Sequence, residues 1–173
     1  MNSQQKIALI TGGGTGIGKH AALALAREGF VTVITGRRRE PLEQTVKEIS
    51  AEGYKACAIT ADVSDPVSVA ALFKQISEKY GRLDVLFNNA GFGRLDFLDR
   101  LDPEADIAAQ FAVNVLGVMQ TTRQVLPLMM AQKRGHIINM ASVAGLVAMP
   151  TYSVYAACKF AVRGFSEALR REV

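Results

Sequence analysis

The chain has 173 residues, 49% apolar and 21% charged, with a net charge of +4. That length suits one domain, residues 1–173, able to bury about 70% of the surface its unfolded chain exposes. Cys57 and Cys158 carry no metal spacing and make no disulfide framework; no stretch approaches the ~18 apolar residues of a membrane span; and the clustered cations Arg37, Arg38 and Arg39 are too local for a general nucleic-acid surface.

The first apolar run, Ile7 to Ile10, is too short for a signal peptide and opens a strand. Lys6–Thr11 is therefore expected to be a buried strand, followed by a helix over Gly16–Glu28 that starts in glycines. Val31–Thr35 reads as the second strand, and Glu40–Glu52 as a helix with Pro41 in its first turn, where a missing N–H costs nothing. Lys55–Ala61 is the third strand. Pro66–Tyr80 is a helix capped by Ser64 or Asp65, with Gly81 just past its end. Leu83–Phe87 is the fourth strand. The longest irregular stretch is Gly91 to Asp102. A long helix follows from Pro103 to about Met130, with a bend expected at Pro127. Gly135–Ala141 is the fifth strand, and a last helix starts at Ser153. Strands alternating with helices predict βαβ units and a doubly wound parallel sheet of Rossmann type. Near-continuous apolar strands fit a sheet covered on both faces.

Thr11-Gly-Gly-Gly-Thr-Gly-Ile-Gly18 joins the first strand to the first helix. Glycines permit a tight turn and a close approach of backbone to a pyrophosphate. The helix start adds free N–H groups and a partial positive charge. A plain βα turn also favours glycine. No Gly-Lys-Ser/Thr ending is present, which argues against a P-loop.

About 20 residues further on, an Asp or Glu would hold the adenosine ribose of NAD. Here the residues are Gly36-Arg37-Arg38-Arg39. Cations at this place suit a 2′-phosphate, so NADP(H) is the expected cofactor and NAD(H) the less favoured one. A solvated basic helix start is the plainer alternative, weakened because cations at a helix N-terminus are misplaced unless an anion visits.

Tyr155 and Lys159 are four apart on an expected helix and share a face. An ammonium beside a phenol favours the phenolate, which makes Tyr155 a candidate general acid/base. Alone, such a pair is common by chance. Its weight comes from Ser142, thirteen residues earlier at the end of the fifth strand.

With these residues the chain resembles the short-chain dehydrogenase/reductase family, in its compact single-domain branch. The matching stretches are TGGGTGIG at 11–18, Asp62-Val63, NNAG at 88–91, Asn114, Ser142 and YAACK at 155–159. The resemblance implies a strand order 3-2-1-4-5 and a hydride transfer between NADP(H) and a carbonyl or secondary alcohol. It implies that Tyr155 exchanges the proton, that Lys159 binds the nicotinamide ribose, that Ser142 places the substrate oxygen, and that Asn114 holds a water in a proton relay. Gly12, Gly14, Thr15, Gly16, Ile17 and Gly18 would hold the pyrophosphate. Arg37 and Arg38 would meet the 2′-phosphate, and Asp62 and Val63 the adenine. Asn88, Ala90 and Gly91 would lie along the cofactor with Tyr155 and Lys159. Asn114 could equally be a satisfied core amide.

His20 and His136 have no ligand partners in sequence, so no metal is expected. The expected partners are a small carbonyl or alcohol substrate and further copies of the chain as a homodimer or homotetramer; no nucleic acid or membrane is expected. Reduced thiols point to a cytoplasmic location. Two other classes compete: a non-catalytic nucleotide sensor of the same fold, and a sugar-nucleotide epimerase. The intact Ser142, Tyr155 and Lys159 set argues against the sensor, and Thr15 interrupts the glycine spacing of the epimerase. The last helix is still amphipathic at Val173 without a stop signal, and family members continue with two more strands and a substrate lid. The chain is therefore expected to be part of a longer enzyme, with those later strands missing.

Overall fold

Ile7–Thr11 (β1), Val31–Gly36 (β2), Ala56–Thr60 (β3), Val85–Asn88 (β4) and His136–Asn139 (β5) are the strands of a computed structural model that describes residues 5–173. They form one parallel sheet in the order β3-β2-β1-β4-β5, the doubly wound order expected. Side chains alternate between its faces. Ala8, Ile10 and Ile34 pack on α1 (Gly16–Arg27) and α2 (Arg39–Ala51) through Ala22, Leu23, Leu42 and Ile49. Leu9, Val33 and Leu86 pack on the other face against α3 (Pro66–Tyr80) and α5 (Gly117–Gln132) through Val69, Leu72, Phe73, Val125 and Met129. Burying each of the larger of these side chains contributes roughly 1.5–3 kcal/mol. Among the described residues, no helix is long and apolar enough to cross a membrane.

The α3 boundaries follow from local chemistry. Asp65, rather than Ser64, is the cap, and its carboxylate accepts from the N–H groups of Val67 and Ser68. Gly81 closes the helix at φ 63°, a left-handed conformation that glycine adopts freely.

Residues 103–132 are helical throughout, but not uniformly. Pro103–Ala108 and Ala112–Leu116 have π geometry around the single α turn Ala109–Phe111 (α4), and α5 follows. The bend expected at Pro127 is not where the helix departs from α geometry. α5 runs through Pro127, at the loss of one main-chain bond, and the irregular turns lie upstream, beside the functional site. Widened turns of this kind recur at such sites.

Among the described residues β5 pairs with β4 alone, and Ile138 is 49% exposed.

Two polar devices tie the sheet together. At its N-terminal edge, Asp84 accepts from the Ile7 N–H at 2.9 Å and from Arg82 Nε at 2.9 Å, both side chains being nearly buried. At its C-terminal edge a chain of hydrogen bonds crosses from α5 to the last helix, α6 (Ser153–Glu172). Thr121 donates to Asn88 Oδ1, Asn88 Nδ2 donates to Asn139 Oδ1, Asn139 Nδ2 donates to the Ser166 hydroxyl, and that hydroxyl donates to the Val162 carbonyl.

Candidate active site

The order of the strands creates a switch point at β1. The chain leaves β1 for β2 on one side and returns through α3 to β4 on the other. In such sheets ligands bind at the carboxyl ends of the strands beside the switch. The glycine turn after β1 and the loop after β4 meet there.

Thr11 joins them. Its hydroxyl accepts from the N–H groups of Asn89 and Ala90 at 3.0 and 2.9 Å. Asn89 returns the contact, donating from Nδ2 to the Thr11 carbonyl at 3.0 Å. The glycines allow this closeness. Gly12 has φ 66°, and a Cβ there would sit 3.0 Å from Asn89 Nδ2. A Cβ at Gly18 would collide with the Gly12 carbonyl and lie 2.5 Å from Asn89 Nδ2. Gly14 lies against Pro41 and Leu42 of α2, while Gly16 adopts φ 53° in open space. Thr15 opens α1 without a side-chain cap, so the first-turn N–H groups there remain available to an anion.

Two clefts flank this junction and share Gly12, Thr15, Ala90, Gly91 and Phe92 as a common wall. One continues past Gly14 to Arg37, Arg38, Asp62 and Val63. The other continues past Ile17 to Met140, Tyr155 and Lys159. The groove thus runs from the end of β2, over the glycine turn, to α6. Arg39 is committed to Glu43, its Nε 2.6 Å from the carboxylate. Arg37 and Arg38 are exposed and make no hydrogen bond or ion pair among the described residues. Asp62 holds the turn before α3, accepting from the Ser64 N–H and hydroxyl. Val63 is buried against Gly117.

Tyr155 and Lys159 lie one turn apart on α6, as their spacing predicts. Lys159 is 5% exposed, and its Nζ lies 5.6 Å from the centroid of the Tyr155 ring. The same ammonium donates to the Met140 carbonyl at 2.8 Å. Burial pushes the Lys159 amine below its ordinary range and the neighbouring Cys158 thiol above its own. Tyr152 meets Tyr155 edge-on, with ring centroids 6.3 Å apart.

Ser142 follows β5 and caps the short turn Val143–Gly145, its hydroxyl accepting from the Ala144 N–H at 3.2 Å. That turn packs on α6, where a Cβ at Gly145 would lie 2.9 Å from the Lys159 carbonyl. Asn114 is fully buried. Its amide accepts from the Phe92 N–H at 3.0 Å and donates to the Phe92 carbonyl at 2.7 Å. Its side chain is satisfied by the loop after β4. Asn88 lines neither cleft. Its side chain braces β4 against Thr122 and Asn139. Among the described residues, no group of His, Cys, Asp and Glu could hold a metal ion.

Asn89 falls within the expected stretch 88–91, whereas Gln110 and Gly93 were not among the expected site residues. Gln110 stands four residues before Asn114, on the same helix face, and that spacing was the available signal. It accepts from the Arg94 N–H at 3.1 Å and donates to the Asp106 carbonyl at 2.8 Å.

The short chain dehydrogenase family model matches residues 6–173. The chain belongs to the short-chain dehydrogenase/reductase family of oxidoreductases. Oxidoreductase UcpA of Escherichia coli strain K12 is 42% identical over 169 residues, which are 96% of this chain and 63% of that protein. The chain therefore spans less than two thirds of that relative's length. Among solved structures, a metagenomic short-chain oxidoreductase in complex with NADP superposes with a TM-score of 0.93 at 35% identity, covering 96% of this chain and 76% of the other. A short chain dehydrogenase/reductase from Burkholderia phymatum in complex with NAD gives 0.92 at 36% identity, covering 100% and 62%.

Proposed function

We propose that this chain forms the nucleotide-binding and catalytic part of an NADP(H)-dependent oxidoreductase acting on a carbonyl or secondary alcohol. One observation carries the reading: the groove that starts at Arg37 and Arg38 ends at Tyr155 and Lys159, with the glycine turn as its shared wall. A dinucleotide is a long ligand with a central pyrophosphate, and this groove has an anion-accepting helix start at its middle. The solved neighbours carry NADP in one and NAD in the other, so the fold does not select between them. Arg37 and Arg38, free of ion pairs where NAD enzymes place a carboxylate, favour the 2′-phosphate.

The cofactor supplies or accepts the hydride. Tyr155 gives its phenolic proton to the substrate oxygen in reduction and takes it back in oxidation. Lys159, held by the Met140 carbonyl, places its ammonium beside the Tyr155 ring. Ser142 donates to the substrate oxygen and places it. Asn114 fixes the loop at Phe92 and so keeps the wall of the groove in register with α6.

The test is NADPH oxidation by the full-length protein with a panel of ketones, with NADH in parallel. Turnover with NADPH in clear preference to NADH is expected. Tight cofactor binding with no turnover on any carbonyl would favour the non-catalytic sensor.

A further inference from the structure

The strip Gly91–Arg94 lines the groove between the glycine turn and α6 through Gly91, Phe92 and Gly93, yet it has almost no main-chain support of its own. No backbone–backbone hydrogen bond of residues 91–96 occurs among the described residues, and Gly91, Gly93 and Arg94 are exposed. Its main-chain bonds come from two side-chain amides. Asn114 takes both the N–H and the carbonyl of Phe92, at 3.0 and 2.7 Å. Gln110 takes both those of Arg94, at 3.1 and 3.5 Å, and anchors itself on the Asp106 carbonyl. Both amides are completely buried. The two amides stand four residues apart on the helical stretch, and the residues they clamp stand two apart in the strip, so side chains supply the main-chain bonds that backbone partners do not.

Gly93 lies between the two clamped residues and faces the reacting phenol. A Cβ there would lie 3.1 Å from Cδ2 and 3.4 Å from Cε2 of Tyr155. The ring rests on bare backbone whose position is set on one side by Asn114 and on the other by Gln110.

We propose that Gln110 is a positioning residue for Tyr155, acting through Gly93. Resting on the acid/base reading of Tyr155, the proposal adds a residue that touches neither cofactor nor substrate. Asn114 alone holds the near end of the strip, beside the cofactor groove. Without Gln110 the far end keeps only the largely exposed Arg94–Asp106 ion pair, 3.5 Å from Nε to the carboxylate, a weak tether, and the wall behind the Tyr155 ring loosens with it. Reaction rate should suffer and cofactor affinity should not.

Gln110→Leu in the full-length protein keeps the volume and removes the three hydrogen bonds. We expect kcat for ketone reduction to fall about tenfold or more, as small misplacements of reacting groups do. The Kd for NADPH, read by fluorescence, should stay within about twofold. Gln110→Glu retains an acceptor for the Arg94 N–H and should recover part of the lost kcat. Gly93→Ala, which leaves both amides intact, should lower kcat in the same selective way. A normal kcat in both Gln110→Leu and Gly93→Ala overturns the proposal, and so does a parallel loss of kcat and NADPH affinity. If Gln110→Leu does not fold, Gln110→Glu and Gly93→Ala decide by the same criteria. Tyr155→Phe in parallel separates two failures. An active Tyr155→Phe removes the acid/base reading itself. An inactive one beside fully active Gln110 and Gly93 variants removes only the positioning role.

Discussion

The Lys159 ammonium donates to the Met140 carbonyl at 2.8 Å, so the cation nearest the Tyr155 ring is anchored to the end of β5 and not to a carboxylate. A carbonyl orients the charge without neutralising it. Tyr155→Phe keeps the ring and its packing and removes the proton carrier. Turnover should fall by the ~10²–10⁴ typical of a lost general acid/base, with cofactor binding by fluorescence near normal. Lys159→Ala should damage turnover and cofactor affinity together. Full activity in Tyr155→Phe would send the search for the proton donor elsewhere.

Arg37 makes no ion pair or side-chain hydrogen bond among the described residues, so its removal breaks none. A charge-assisted hydrogen bond is worth roughly 1.5–3 kcal/mol, equivalent to a ~10- to 100-fold preference for NADPH. Arg37→Ala should raise the KM for NADPH and leave NADH nearly unchanged. Steady-state kinetics with both cofactors check this, and equal losses with both would remove the 2′-phosphate assignment.

Gly18 sits inside α1 with the Gly12 carbonyl and Asn89 Nδ2 where a side chain would be. Gly18→Ala must push the phosphate turn away from the β4 loop. Overpacking of this kind costs about 1–3 kcal/mol. A lowered Tm and weakened binding of both NADPH and NADH are expected, in contrast to the selective effect of Arg37→Ala. Unchanged Tm and affinities would mean that the turn adapts without loss.

Asp84 gives the pH dependence of stability. Burial alone would raise its carboxyl, but hydrogen bonds from Arg82 and the Ile7 N–H, with the charges of Arg82 and Arg134, hold it below its ordinary range. A carboxyl with a depressed folded pKa contributes stability that is fully present above its unfolded value of about 3.9. That contribution is lost as pH falls through the lower folded value. Asp84→Asn also leaves Arg82 facing a neutral amide, and losing one partner of a buried pair costs about 3–5 kcal/mol. Thermal melts at pH 7 should show a clear drop in Tm for Asp84→Asn, and the gap to wild type should narrow as the pH is lowered toward 3. A constant gap would show that the charge of Asp84 does not matter.

Most of the sheet was legible because parallel strands announce themselves as short apolar runs, and Pro66–Tyr80 was readable to the residue because Asp65 and Gly81 mark its ends chemically. The site was legible where side-chain type and spacing carry the chemistry, as in the glycine turn and in Tyr155 with Lys159. It was not legible where a side chain serves the backbone. Nothing in the sequence tells that Asn114 and Gln110 bind the main chain of Phe92 and Arg94, because their partners are peptide groups that every residue possesses. The π turns were hidden for the same reason: Pro127 is a visible helix breaker, whereas Ala112–Leu116 contains none.

The hydrogen-bond chain from Thr121 through Asn88 and Asn139 to Ser166 bears on how the sheet assembles. β4 and β5 are both short apolar segments ending in asparagine, and those asparagines stand opposite each other. Apolar side chains tolerate sliding, since one aliphatic neighbour replaces another. Paired amides do not. A slip of β5 by one position would turn Asn139 to the other face and break its bonds to the buried Asn88 and to Ser166. The strap therefore works as an alignment key during folding: it rejects misdocked pairings of two interchangeable greasy strands, and it seats Met140, one residue further on, where its carbonyl can meet Lys159.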